Sequence, residues 1–422
     1  MTSSKPTAII FGGVNTFSRA LAQFLIPLDG EPLVSHLRIV DKYSVAPATC
    51  YLGAEFPKVL EKPEVEYRQA NLTVPSIVEG CFNPLEGQEP FSYVFDLTGE
   101  ARNDRPEEVQ IANTFNIARH IGLEAAKRNI KAYVRIHIPC YNTAEKGGQT
   151  EKDDIKPIAP GGIWWHETLR ALASIPDLNL VILRVGYVYG PYIDYGLFTA
   201  AICVAACYGY TKQPMKSMHS PGKHAFNTAH IDDVVGAAWG CAEWMSKLGR
   251  QEADTVAGEP LLFHNDKSKI KALEGACAPD AKPVAPVFNL VDDSNHTFMS
   301  WLGVPTSLFG TTIEHFDLFT RAMAKINMDE LAEDINEDHV GTWTEMITTS
   351  KPPVPNTPLS PYIHPQVVGL FEKQSIGLDN SKIKKTVGYT LKRPTYGIDE
   401  LKEVIEKWKA EQNWPILDES TE

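Results

Sequence analysis

The sequence predicts an α/β protein: a doubly wound parallel sheet followed by a smaller C-terminal α/β lobe. Three observations predict it. Short apolar runs recur at Ala8–Phe11, Leu37–Val40, Tyr93–Leu97, Ala132–Ile138 and Leu178–Gly186. Stretches of helical periodicity stand between several of them, and such alternation builds a parallel sheet covered on both faces. The first run meets a glycine pair, Gly12-Gly13, that opens straight into a helical stretch. With 422 residues and 43% apolar content, the chain can bury a large core spread over more than one lobe.

Each element has its own reason. Ala8–Phe11 reads as a buried strand, and Phe17, Leu21, Phe24 and Leu25 repeat as one face of a helix. A second strand, Leu37–Val40, ends in Asp41. Val65–Leu72 reads as a third strand, and Tyr93–Leu97, stopping at Thr98-Gly99, as a fourth. A helix from about Glu107 to Asn129 follows, then the strand Ala132–Ile138, halted by Pro139. A helix over roughly Ile163–Ile175 leads to the strand Leu178–Gly186. Past Pro191 the pattern changes. Gly196–Tyr208 is apolar and helical. Val234–Trp244 is a helix begun by Asp232-Asp233, acids suited to a helix N-terminus. Lys247–Pro286 is polar and rich in alanine and proline, an insertion or long loop. Pro286–Ser294 reads as strand then turn, Ile313–Asp334 as helix, and Thr348–Pro365 as a proline-rich connector. Leu401–Gln412 is a charged amphipathic terminal helix. No internal repeat is visible. The expected division is residues 1–190 and 191–422, with segments at about 225–245 and 286–294 returning to the first half.

Composition excludes several classes. The net charge is −13 and no basic block stands out, which argues against nucleic acid and anionic membranes as partners. The seven cysteines are scattered and odd in number, the usage of reduced thiols in a cytoplasmic protein. Cys203 and Cys207 stand four apart in AAICVAAC. A metal pair there would need His or Cys partners nearby, and buried core is the plainer account. No H-E-x-x-H, Walker or zinc-ligand spacing occurs. The apolar part of MTSSKPTAII is too short for a signal peptide, and no apolar run is long enough to span a bilayer.

Ligand sites in doubly wound sheets lie beyond the carboxyl ends of the strands. That places Gly12, Asp41, Asn71, Thr98, Pro139 and Tyr187 along one rim. Strand, glycine turn and helix start are the parts of a Rossmann dinucleotide-binding unit, in which backbone amides hold a pyrophosphate. The G-x-x-G-x-x-G spacing falls on Gly12, Asn15 and Ser18, of which only the first is glycine. Asn15 is expected to tolerate a positive φ. Ser18 stands where a glycine would let helix and strand approach closely. Asp41 is where an acid binds the adenosine ribose. Its carboxylate repels the 2′-phosphate of NADP, although Lys42 and Arg19 would offset that.

Taken together, these segments resemble the extended short-chain dehydrogenase/reductase family, the NAD-dependent sugar epimerases and dehydratases. The resemblance rests on the turn at Gly12, on VFDLTGEA (Val94–Ala101), and on LRVGYVYGP (Leu183–Pro191), similar to the family's L-R-x-x-x-V-Y-G-P. HIDDVVGA (His230–Ala237) and GLDNSKIKKTVGYTLKR (Gly377–Arg393) complete it. The resemblance implies an NAD or NADP cofactor on Gly12, Asn15, Ser18, Asp41, Asn71, Leu72, Leu97, Thr98 and Gly99. It also implies a nucleotide sugar or similar small substrate under the C-terminal lobe. A homodimer would pair through the helices at Glu107–Asn129 and Ile163–Ile175, on which Ile117, Ile121, Ala125, Leu169 and Leu172 are apolar.

The family's chemistry needs a tyrosine, a lysine one helical turn later and a Ser or Thr after the fifth strand. In APGGIWWHETLRAL those places fall on Gly161 and Trp165, and the serine place falls near Pro139. One literal Y-x-x-x-K, Tyr208–Lys212, comes after the Y-G-P element and reads as the end of a lobe helix. Tyr141 and Tyr187 are the surviving proton-donor candidates; a phenol near pKa 10 would need a cation such as Lys146 or Lys152 beside Tyr141. His137 reads as a core histidine, His166 points away from Trp165, and Cys140 lies close to the site; Trp164-Trp165 either stack on a base or nicotinamide ring or fill the space at Gly161, and filling is the plainer account. Three readings follow: an enzyme with non-standard residues, a weakened relative acting as sensor or scaffold, and a structural protein. The residues lean toward the second.

Overall fold

The five residues Thr7–Phe11 are all buried and form a central strand of an eight-stranded sheet. The structure is a computed structural model that describes residues 5–102, 104–217, 221–324, 327–365 and 374–417. Across the sheet the order is Gly258–Pro260, Val284–Leu290, Leu180–Val185, Ala132–His137, Tyr93–Asp96, Thr7–Phe11, His36–Asp41 and Val65–Gln69. Every adjacent pair is parallel except the edge strand Gly258–Pro260, which runs antiparallel to Val284–Leu290. Thr7–Phe11 pairs with His36–Asp41 on one side and Tyr93–Asp96 on the other. The order therefore reverses at this strand, and the crevice beyond its carboxyl end is where such sheets bind ligands.

Helix Thr16–Leu25 buries Leu21, Ala22 and Leu25 with Ile10 and Ile39 on one face of the sheet. Helix Ile231–Leu248 covers the same face. Burial of each such aliphatic side chain contributes about 1.5–3 kcal/mol. The opposite face is covered by the helical stretch Glu107–Lys127 and by helix Ala159–Ala173. A π-helical turn, Ile111–Asn116, interrupts the first of these. It lets Thr114 Oγ1 accept from Glu100 N at 2.9 Å while Phe115 packs on Trp164, centroids 6.0 Å apart.

Several expectations need correction. The third strand stops at Gln69, because the Asn71 side chain bonds Thr73 in a tight turn. Short helices at Phe56–Leu60, Pro75–Cys81 and Phe298–Leu308 were not foreseen. The span Ile313–Asp334 is not one helix. Ile313–His315 is a strand parallel to Met215–Ser217, and Leu318–Ala324 and Met328–Thr349 are separate helices. Asp317 Oδ1 accepts from Thr320 N at 2.8 Å, which starts the first of them; residues 325–326 of the span lie outside the described residues. Residues 350–364 carry no regular element.

The segment 247–286 is structured. Helix Arg250–Ala257, the edge strand and helix Lys267–Ala272 lie within it. Its second half crosses the outer face of the two helices expected to pair with another copy. Ile270 packs with Phe115, Trp164 and Ala171. Lys269 Nζ meets Glu107 at 2.7 Å, and the buried Arg170 donates to Ala278 O and Ala281 O. Ile121, Ala125, Leu169 and Leu172 face the sheet. The chain thus covers in cis part of the face that was expected to form a homodimer, while Leu123, on the helix of Ile121 and Ala125, stays exposed.

Candidate functional site

Gly12 sits at φ +78°, and a Cβ there would come within 2.7 Å of Leu97 O. Only glycine lets the first and fourth strands end so close together. The amides of Gly12 and Gly13 both donate to Val40 O at 3.0 Å. Asn15 does not take the positive φ allowed for it. It is extended, φ −73°, and caps the helix: Oδ1 accepts from Ser18 N at 3.0 Å. Its Nδ2 donates to Gly12 O at 2.9 Å and Leu97 O at 3.2 Å. A cap of this kind contributes about 1 kcal/mol. Ser18 turns its hydroxyl back to Asn15 O at 3.0 Å, so it does not wedge helix from strand. Thr16 and Phe17 begin the helix and have no intrahelical acceptor for their amides, the arrangement that suits a phosphate.

Asp41 is buried. Its Oδ2 accepts from Val14 N at 3.1 Å and its Oδ1 from Lys42 N at 2.6 Å. Burial raises its pKa, and those amides oppose the rise. Arg19 does not offer itself to a ribose phosphate: its Nη2 lies 2.6 Å from Asp194 Oδ2, both side chains buried. Lys42 leans over the Tyr43 ring at 5.3 Å. Asn71 is exposed and Leu72 buried at the end of the third strand. Thr98 donates its hydroxyl to Asp96 Oδ1 at 2.6 Å and so faces inward.

A cavity of about 370 Å³ opens beyond the carboxyl ends of the strands, closed on its other side by Leu197, Phe198 and Trp301. Asn15, Thr16 and Phe17 stand at one end; Leu97, Gly99, Pro139 and Trp165 wall it; Tyr187 and Gln374 meet it from the far side. Trp165 decides its shape. The indole is 3% exposed, and a Cβ on Gly99 (φ +139°) would lie 2.3 Å from its ring. Its Nε1 donates to Glu100 O at 2.9 Å, and its ring covers the Arg135 guanidinium at 4.6 Å. Arg135 in turn meets Asp96 at 2.8 Å, both fully buried. Gly161 is buried in the first turn of helix Ala159–Ala173 and sends nothing into the cavity. Gly162 seats that helix on the segment just after the fifth strand, since a Cβ there would lie 2.9 Å from Cys140 O. Trp164 points the other way and donates to Glu107 at 3.0 Å.

The two tyrosine candidates separate. Tyr141 lies outside this cavity. Its hydroxyl donates to His166 Nδ1 at 2.9 Å, because His166 Nε2 must carry the proton it gives to Leu262 O at 2.7 Å. His137 stacks on the Tyr141 ring with centroids 5.1 Å apart and donates from Nδ1 to Ile138 O at 2.9 Å. Burial pushes the Tyr141 pKa up, and Arg184 stands over its ring, 5.7 Å from the centroid. Burial lowers the His166 pKa to about 4. Tyr141 is therefore a neutral hydroxyl held by His166. Tyr187 does line the cavity. Its ring stacks on Phe226 at 4.2 Å, and its hydroxyl donates to Gln374 Oε1 at 2.9 Å. Burial raises its pKa too.

Cys140 also lines the cavity, its Sγ 3.8 Å from His137 Nε2, with its pKa raised by burial. Tyr208, of the literal Y-x-x-x-K, lies in the C-terminal lobe with its hydroxyl 3.3 Å from His339 Nε2. Gln374 was not foreseen. Its Nε2 donates to Pro139 O at 2.8 Å and Tyr141 O at 3.0 Å, joining the end of the fifth strand to a segment 235 residues later. Among the described residues no three of His, Cys, Asp or Glu converge on a metal position, and no helix is long and apolar enough to cross a membrane.

No family model and no curated protein matches this sequence. Solved structures match it over nearly its whole length. One is the Bordetella bronchiseptica enzyme WbmG in complex with NAD and UDP: 14% identity, TM-score 0.59, covering 98% of this chain and 98% of that one. Another is UDP-glucose 4-epimerase from Thermotoga maritima with UDP-glucose, at 14% identity and TM-score 0.59, covering 96% and 99%. A third is UDP-glucuronic acid 4-epimerase from Bacillus cereus with NAD, at 11% identity and TM-score 0.58, covering 96% and 99%. The chain shares the Rossmann-type fold of these enzymes.

Proposed function

We propose that the chain binds NAD along the strand rim and a second small molecule in the cavity between its lobes. In this reading it is an epimerase/dehydratase-like protein without the family's tyrosine–lysine proton transfer, working as a ligand-binding sensor or scaffold. The observation that carries the reading is the indole of Trp165 closed against Gly99, with Gly161 one helical turn before it.

The residues fit the adenosine diphosphate half of the cofactor. Gly12 leaves room for close approach, the amides of Thr16 and Phe17 suit a pyrophosphate, and Asp41 suits ribose hydroxyls. Fold neighbours solved in complex with NAD support that choice of cofactor. NAD is favoured over NADP because Asp41 repels a 2′-phosphate and Arg19 is committed to Asp194. Bound NAD would supply hydride chemistry at its nicotinamide. The protein's own share there is small. Tyr187 presents a neutral hydroxyl shared with Gln374, suited to hold a ligand oxygen rather than to carry charge. General acid–base groups typically contribute about 10²–10⁴-fold in rate, so their loss leaves slow turnover.

The test is calorimetry with NAD and NADP, followed by nucleotide-sugar incubations read by reduced-cofactor absorbance and product chromatography. NAD binding tighter than NADP, with little or no turnover, is expected. Failure of both dinucleotides to bind overturns the reading. Fast turnover that survives Tyr187→Phe shows that proton-transfer groups lie elsewhere.

A further inference from the structure

A second pocket, of about 120 Å³, lies among three segments at 145–148, 223–227 and 295–297. It shares no lining residue with the main cavity, although Thr228, the chain neighbour of Asn227, lines that cavity. Asn227 is 4% exposed and firmly held: its N donates to Ile376 O at 2.8 Å and its O accepts from Tyr187 N at 2.9 Å. Its Oδ1 accepts from Leu378 N at 2.8 Å. That bond fixes the side-chain amide, so Nδ2 is the end turned to the pocket, and it has no acceptor among the described residues. A buried donor left unpaired costs about 1–3 kcal/mol.

Donors and positive charge surround this amide. Gly147 and Gly148, at φ +71° and +81°, turn the first segment, and the Gly148 amide makes no hydrogen bond among the described residues. Lys146 and Lys223 are exposed, and neither has a carboxylate within 4.0 Å among those residues. The opposing group is Glu145, which offsets one of the two lysines. Other polar groups here are taken. His296 joins Tyr396 O through Nε2 at 3.2 Å and Ser300 Oγ through Nδ1 at 2.9 Å. The first three amides of helix Phe298–Leu308 donate to His224 O, Gly222 O and Thr297 Oγ1, so that helix start has none to spare.

We propose that this pocket binds the carboxylate of a small organic acid. Asn227 Nδ2 and the Gly148 amide donate to its oxygens, and Lys146 and Lys223 supply the counter-charge. Two lysines against one glutamate leave one positive charge, which a singly charged acid balances. One water needs about 10–15 Å³ of such space, so the pocket admits an acid of a few carbon atoms. Through the bond from Tyr187 N to Asn227 O, the acid sits directly behind the wall of the main cavity. The site stands on its own residues and does not depend on a bound dinucleotide.

The full-length protein is titrated by calorimetry, at constant ionic strength, with lactate, its neutral analogue lactamide and inorganic phosphate. Lactate should bind with a Kd on the order of 1 mM, lactamide at least about tenfold more weakly, and phosphate no tighter than lactate. Asn227→Asp keeps an acceptor for Leu378 N and puts a carboxylate oxygen where the donor stood, so it should weaken lactate by roughly tenfold or more. Lys146→Gln and Lys223→Gln, at exposed positions, should each weaken it by about threefold, and they serve if the aspartate variant does not fold. Saturating NAD should leave lactate affinity unchanged. Lactamide binding as tightly as lactate, phosphate binding more tightly, competition between lactate and NAD, or unchanged lactate affinity in the folded variants each overturns the proposal.

Discussion

Replacing Trp165 by alanine is expected to weaken the fold and strengthen dinucleotide binding at once. The stability side follows from burial: the indole is 3% exposed, and removing a buried aromatic to alanine typically costs about 3–5 kcal/mol. Its bond to Glu100 O adds about 1 kcal/mol, and its cover over Arg135 about 2 kcal/mol in a desolvated place. These contributions overlap, so the total is on the order of 5 kcal/mol. In a chain of this size that lowers the melting temperature by roughly 5–10 °C. The binding side follows from Gly99: without the indole, the space against that glycine opens where a nicotinamide ribose would lie. NAD affinity should rise by about tenfold, worth 1.4 kcal/mol. The assays are thermal unfolding by circular dichroism and calorimetry with NAD on the same preparation. A purely structural indole would lower both quantities together. Unchanged or weaker NAD binding in a folded Trp165→Ala protein therefore refutes the placement of the ribose. Trp165→Phe should give an intermediate stability and little gain in affinity.

Gly12→Ala is expected to lose roughly 2 kcal/mol or more, from a residue held at φ +78° and from a Cβ 2.7 Å from Leu97 O, and to abolish NAD binding by calorimetry. Asp292, whose pKa burial raises to about 6, holds a proton in the folded state that it releases near 3.8 when unfolded. Its favourable term is thus fully present below the unfolded value and fades as pH rises through about 6. Asp292→Asn should be more stable than the parent at pH 7–8, by on the order of 2–3 kcal/mol, with the advantage gone near pH 4 in urea unfolding. Light scattering should give a 46.8 kDa monomer, because residues 261–281 cover part of the helix face through which a homodimer was expected; a mass twice that would show that the cover moves aside or that another face pairs.

The sheet was legible because its signals are local. TAIIF, HLRIVD and LVILRV are apolar runs between helical stretches, and each became a strand within a residue or two of its expected ends. The helix that carries Gly161 and Trp165 one turn apart was legible as well, since Ala159–Ala173 forms where its periodicity placed it. Other features depend on distant partners. Asn15 and Ser18 looked like defects in a glycine motif, yet their hydrogen bonds tighten the turn. Tyr141 and Tyr187 could not be told apart from spacing. Only the tertiary fold aims one at His166 and the other at Gln374. The 247–286 segment hid its strand because Gly258–Pro260 has just three residues and is defined by the neighbour it pairs with.

The bond network of Gln374 has a consequence for how the protein is made. Its partners Pro139 and Tyr141 leave the ribosome more than two hundred residues earlier. At about 5–20 residues per second, that interval is roughly 10–50 s. During it the first-made half can build its central strands, while Tyr187 has no Gln374 to accept its hydrogen bond and Phe226 has no Ile376 alongside. Nascent chains stalled before residue 374 should then be cut by protease near 139–142 and 187–189. Chains stalled well beyond residue 390, with Gln374 clear of the exit tunnel, should resist.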